Sequence, residues 1–367
     1  MKSIPQLTPW QKKQAALLYY FSSDEYLRGL QTRVHELQIL VDELLNQSRL
    51  EGRDQFIRNS HWEERDTSET WSNHAWPFLE DFGLSVARHL ADRSSEIYHV
   101  TDSYQCGRGI SEFSMDWTTP DEQERFDAAL NSVSKYAAYI DKTMNKSLHV
   151  SRWTDFGFSL AWEKHAAQFP HLPKFKIRHD IQCNTGEIPS KTGVYISSEY
   201  PDASLQFAWK GDKYGKLLDC SMFNNLGRQA LIAVGRPKLW VDGNSMLEFL
   251  KRNGESEVLK QNPFYEDSFD PDLAPSLIAE HSFTSAPSGW WFVELLDEEY
   301  EPVESETNIS DLTQRRRIDA GETCEISGFY FSPASVNSRQ LFKKGDVFPV
   351  LNITYGNTIW QSDEKQD

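Results

Sequence analysis

The chain has 367 residues, 39% hydrophobic and 13% aromatic, and a formal charge of −17 from 55 acidic against 38 basic side chains. That apolar content supports a packed interior and excludes wholesale disorder, while the length points to two domains. The charge is spread, with 18 basic against 25 acidic residues over 1–170 and 20 against 30 over 171–367. Such a field repels nucleic-acid phosphates and anionic lipid heads and favours basic partners, so direct nucleic-acid binding is not expected.

The first apolar run, Ala15 to Phe21, is too short to span a bilayer and lacks a cleavage site, so neither a secretion signal nor a membrane span is expected. A cytoplasmic protein follows from that reading. Thr8-Pro9-Trp10-Gln11 and Thr119-Pro120-Asp121-Glu122 each place a cap, a first-turn proline and an acceptor where a helix begins. Ser22-Ser23-Asp24-Glu25 reads as a third capping box. It opens a helix with Leu27, Leu30, Val34, Leu37, Val41 and Leu44 on one face and Gly52 just past its end. The stripe is under three heptads, which favours a seam inside the chain's own bundle over a coiled coil. Phe126, Leu130, Val133, Ala137, Ile140 and Met144 form a second apolar face, and further helices are expected near 77–98 and 154–168. Gln168 to Pro173 breaks the pattern, and the domain boundary is placed there, giving a helical domain over 1–170 and an α+β domain over 171–367.

The second half carries short β-prone runs (Gly193 to Ser197, Leu205 to Trp209, Trp290 to Leu295, Phe329 to Phe331) and two helical patterns, Met222 to Val234 and Ser245 to Lys251. The fold class is α+β: an N-terminal helical bundle followed by a mixed domain with a mainly antiparallel sheet. Thr185 to Ser197 aligns without gaps on Ala320 to Ser332, each with Gly-Glu ahead of a glycine and then an aromatic. Ser288-Gly289-Trp290-Trp291-Phe292 echoes Ser327 to Phe331. Duplicated β-units sharing one sheet are the reading, each a glycine turn leading into an aromatic strand.

No catalytic, cofactor or metal signature is present: there is no phosphate-binding loop, no nucleophile elbow and no zincin motif. Cys106-Gly107-Arg108-Gly109 lacks the third glycine of a dinucleotide loop, and Asp267 to Asp272 lacks the glycine and terminal glutamate of a calcium loop. His165, His171 and His179 crowd the boundary near Asp180, and His61 precedes Glu63 and Glu64; ordinary histidines explain both groups. The four cysteines are far apart and read as buried, reduced thiols. Trp153, Trp162, Trp209, Trp240 and Trp291 lie in apolar runs and read as core rather than as sugar-stacking platforms.

The most suggestive patch is 294–306, where seven of thirteen residues are acidic. Glu294, Asp297, Glu298, Glu299, Glu301 and Glu304, with Tyr300 as an anchor, form a ridge suited to a basic cleft on another protein. Arg315, Arg316 and Arg317 follow and offer internal pairing instead.

Leu205 to Trp209, Met222 to Gly227, Val234 to Asp242, Gly321 to Tyr330, Lys344 to Pro349 and Thr358 to Gln361 resemble the immunity proteins of bacterial polymorphic-toxin and type VI secretion systems. The kinship is with those catalogued as immunity families seventy-one and seventy-two, across mainly 185–361. Glu325 and Tyr330 stand where the family's G-x-x-C-P-x-S-G-x-W pattern has proline and tryptophan. The resemblance implies a protein that neutralises a cognate secreted toxin by stoichiometric binding in the cytosol, with no catalytic residues to carry over. The alternatives are an enzyme that reverses the toxin's modification and a glycan- or peptide-binding module.

Overall fold

A computed structural model describes all residues except 1–5, 58–65, 148–152, 255, 305–317, 325–327, 333–337, 344, 352–357 and 363–367. His61 to Glu64 and Arg315 to Arg317 therefore lie outside the described residues. The first half is helical: α1 (Pro9–Phe21), α2 (Asp24–Glu51), α3 (Asp54–Ile57), α4 (Ser68–His74), α5 (Trp76–Asp92), α6 (Ser103–Ser111), α7 (Pro120–Met144) and α8 (Asp155–His165). It is followed by β1 (His171–Asn184), β2 (Gly193–Ser197), β3 (Gln206–Ala208) and β4 (Cys220–Phe223). Then come α9 (Asn225–Val234), α10 (Gly243–Arg252), α11 (Glu257–Lys260) and α12 (Ala274–Glu280). The chain ends with β5 (Phe283–Ala286), β6 (Gly289–Pro302), β7 (Ile318–Asp319), β8 (Gly328–Phe331), β9 (Gln340–Phe342) and β10 (Ile359–Ser362). All strand pairs are antiparallel, so the fold is α+β as expected. No helix among the described residues is long and apolar enough to cross a membrane.

Local chemistry explains the helix starts. Thr8 and Thr119 close the expected capping boxes with Gln11 and Glu122. In α2 the cap is Ser23, whose hydroxyl accepts from the Tyr26 amide at 3.0 Å. The box expected from Ser22 to Glu25 does not form, because Ser22 still closes the last turn of α1. Gly52 ends α2 at φ +65°, a left-handed value suited to glycine. The Leu27 to Leu44 stripe is buried against α5 and α7, so it is an internal seam.

The chain divides into two compact units, Met1–Asn224 with Ser282–Glu304, and Asn225–His281 with Ser305–Asp367. This differs from the boundary expected at 170. The helices and the first sheet share one core, in which Phe21, Val41 and Trp153 cluster with Val194, Phe207 and Val293. The Tyr19 hydroxyl, on α1, donates to the Val293 carbonyl of β6 at 2.5 Å. Pro173 does not break the chain either: β1 is an edge strand, where the missing amide is tolerated.

The two aligned segments, expected to share one sheet, instead take corresponding places in two sheets. Their strand orders are β1-β6-β2-β3 and β7-β10-β8-β9, the same topology element by element. The Gly186 amide donates to the Leu217 carbonyl at 2.7 Å, as Gly321 does to Phe348 at 2.7 Å. Thr185 donates to Ser288, and Ala320 to Thr358, both at 3.0 Å. Gly186 and Gly321 sit at φ +89° and +96°, which favours glycine. Tyr195 pairs with Gln206, and Tyr330 with Gln340. The face carrying Cys183, Tyr195, Ala208, Leu217 and Trp290 corresponds to the one carrying Ile318, Tyr330, Phe342, Phe348 and Trp360. The sequence echo of Ser288 to Phe292 on Ser327 to Phe331 does not correspond to this repeat, since Trp290 on β6 matches Trp360 on β10. The first copy alone carries α9–α12, inserted between β4 and β5.

Candidate partner-binding surface

The acidic ridge lies on β6, and its shape comes from an irregular pairing with β1. Pro173 pairs with Tyr300 and Phe175 with Leu295, so Lys174 alone stands opposite the four residues Leu296 to Glu299. That excess bends the chain outward, as β-bulges do. Glu298 adopts φ +59° within it, a strained value for a side chain other than glycine.

The seven expected residues all lie on or just beyond this strand, and they divide into two groups. Glu294 accepts from Arg178 Nη1 through both carboxylate oxygens at 3.0 Å. Arg178 also forks onto Asp180 at 2.9 and 2.7 Å, which holds the Asp180 carboxyl down at about 2. Glu299 is 3.2 Å from Lys174, and Lys12 is 2.9 Å from Glu301 and 3.8 Å from Glu304. These pairs neutralise much of the ridge.

Asp297 and Glu298 are exposed and ion-paired to no described residue, and Tyr300 is 64% exposed. The two carboxylates and one phenol therefore form its outward-facing part without ion pairs to described residues, beside Glu299 and Glu304, which are exposed but paired. They fit the rim and anchor of a protein contact.

Sequence reasoning missed a further set of exposed apolar side chains. The segment inserted between β4 and β5 exposes Ile232 on α9, Val258 on α11, and Phe264, Phe269 and Leu273 between α11 and α12, in a stretch that also carries Glu257, Glu266, Asp267, Asp270 and Asp272. The visible signal was aromatic residues interleaved with carboxylates over 264–270. Among the described residues no group of three or more His, Cys, Asp or Glu side chains is placed to hold a metal ion.

The remaining expectations resolve locally. Cys106 to Gly109 lies within α6, and Gly109 packs against Phe78 where an added Cβ would clash, so this is a helix and no nucleotide loop. All four cysteines are buried, and burial raises the Cys106 thiol to about 12. His179 packs edge-on against Trp291 at 4.4 Å, and Asp180 pairs with Arg178 rather than with a histidine. Trp153, Trp209 and Trp240 are buried, while Trp162 and Trp291 are half-buried. Compared with protein-family models, curated proteins and solved structures, the chain finds no match.

Proposed function

We propose that this chain is an immunity protein that neutralises a cognate bacterial toxin in the cytosol by forming a stoichiometric complex with a basic face of it. The observation that carries this reading is the β6 bulge, which leaves Asp297, Glu298 and Tyr300 outward and accessible while Lys12, Lys174 and Arg178 tie down the flanking acids. Paired flanks hold the ridge in one shape, and the unpaired carboxylates supply the field that steers a basic partner. The overall charge of −17 acts in the same direction at longer range. The motif resemblance to immunity proteins supplies the class of partner.

The test is co-expression with the product of each gene adjacent to the one that encodes this chain, to find the toxin it neutralises. Growth should be restored at near-equal expression, and the two proteins should purify together. Unrelieved toxicity, or protection by the chain at a small fraction of the toxin's amount, contradicts a stoichiometric complex.

A further inference from the structure

A second surface has the opposite electrostatic character. The cleft between α2, α7 and α8 has a volume of about 510 Å³, within the roughly 300–1,000 Å³ range of small-molecule sites. Arg33, Lys135 and Lys164 line it, and no carboxylate does, in a chain with 55 acids against 38 bases. None of the three cations is ion-paired to a described residue. The adjoining groove along α2 does contain Glu36 and Glu43, so the carboxylate-free stretch is confined to this cleft.

Two of the cations are seated on aromatic rings. The Arg33 guanidinium lies 4.1 Å from the Tyr136 ring centroid, and Nη1 donates to the Gly29 carbonyl at 2.9 Å. Lys164 Nζ lies 5.6 Å from the centroid of Tyr139. Tyr136 is itself fixed by stacking on Tyr26 at 4.0 Å, with each hydroxyl donating to the other residue's carbonyl. Ring seating fixes the cations while their remaining N–H groups stay available for an anion. Asn131 and Ser132 add neutral donors. His165 also lines the cleft, and its Nε2 is buried with no hydrogen-bond partner among the described residues.

We propose that this cleft binds a small phosphorylated ligand. A phosphate group accepts several charge-assisted hydrogen bonds at once, which matches a cleft lined by three cations and neutral donors. Long nucleic acid is disfavoured by the chain's net charge. A small anion inside the cleft meets chiefly the local cations, because the field of distant acids decays over about 8 Å at physiological salt.

Calorimetric titration of the intact chain with inorganic pyrophosphate, ADP and citrate tests this. Pyrophosphate or ADP should bind saturably with a Kd below about 1 mM, and each of Lys135→Gln, Lys164→Gln and Arg33→Gln should weaken binding by about tenfold. Lys135 is exposed, so its variant keeps the fold and carries the test if either of the others unfolds. Absence of saturable binding by both phosphate probes overturns the proposal. So does binding unchanged by Lys135→Gln, or citrate binding as tightly as pyrophosphate.

Discussion

Trp290 and Trp360 occupy the same position in two separate sheets. Trp290 on β6 pairs with Cys183 of β1, and Trp360 on β10 pairs with Ile318 of β7, one residue before the aspartyl or asparaginyl residue that leads into each glycine turn. Both rings are buried, and the cores they belong to share four further positions, Cys183 with Ile318, Tyr195 with Tyr330, Ala208 with Phe342 and Leu217 with Phe348. Against that shared framework, much of what is particular to this chain belongs to the first copy. There the framework gains a helical bundle, the α9–α12 insertion and the acidic extension of β6.

The equivalence implies matched consequences for the two tryptophans. Removing a fully buried tryptophan typically costs about 3–5 kcal/mol. Trp290→Ala and Trp360→Ala should each lower stability by that order. Hydrogen exchange should locate the loss in β1, β2 and β6 for the first and in β7, β8 and β10 for the second. Equal loss of protection throughout both sheets for either variant would contradict two separately cored sheets.

Two half-buried groups of opposite sign are shifted toward the same pH range. Burial lowers the His89 ring from 6.5 to about 4, aided by His99 stacked at 4.7 Å. Burial also raises the Asp141 carboxyl from 3.8 to about 6, against the hydrogen bonds it accepts from Thr101. The His89 contribution to stability is present above pH 6.5 and is lost as pH falls toward 4. The Asp141 contribution is present below pH 3.8 and is lost as pH rises through 6. The two slopes oppose each other between pH 4 and 6. Relative to the parent, Asp141→Asn should make stability rise more steeply with pH there, and His89→Gln should make it fall. Thermal melts across that range check the sign, and parallel profiles for all three proteins would refute it.

Glu298 reports on the bulge itself. Glycine adopts its φ of +59° without the steric cost a side chain incurs. Glu298→Gly should therefore leave stability unchanged or raise it by about 0.5–1 kcal/mol, measured by urea denaturation. A loss above 1 kcal/mol would mean that the carboxylate makes a stabilising contact.

Much of the helical half was legible because its signals are local: caps at Thr8 and Thr119, the Leu27 to Leu44 stripe, and glycine at 52. The glycine turns at 186 and 321 were legible for the same reason. The extent of β6 was not, because its outer half is a run of carboxylates whose strand state depends on pairing with β1. The unit boundary was hidden for a related reason: Pro173 reads as a breaker until the strand is known to be an edge. The β6–β10 correspondence was equally hidden, since Trp290 and Trp360 share register with little sequence likeness around them. At the candidate surface, the composition of 294–304 was visible, but its division into paired and outward-facing acids depends on Lys12, Lys174 and Arg178, remote in sequence. Helices α11 and α12 lay in a stretch without clear periodicity.

A basic protein partner should bind through the outward-facing part of the β6 ridge. The most direct test is the association rate of the intact chain with the toxin found by co-expression, measured by stopped flow across ionic strength for the parent and for Asp297→Lys with Glu298→Lys. Parent association should slow steeply with salt, and the double variant should associate about tenfold more slowly at low salt with a flatter salt dependence. Equal rates and equal salt dependence for the two proteins would contradict the claim.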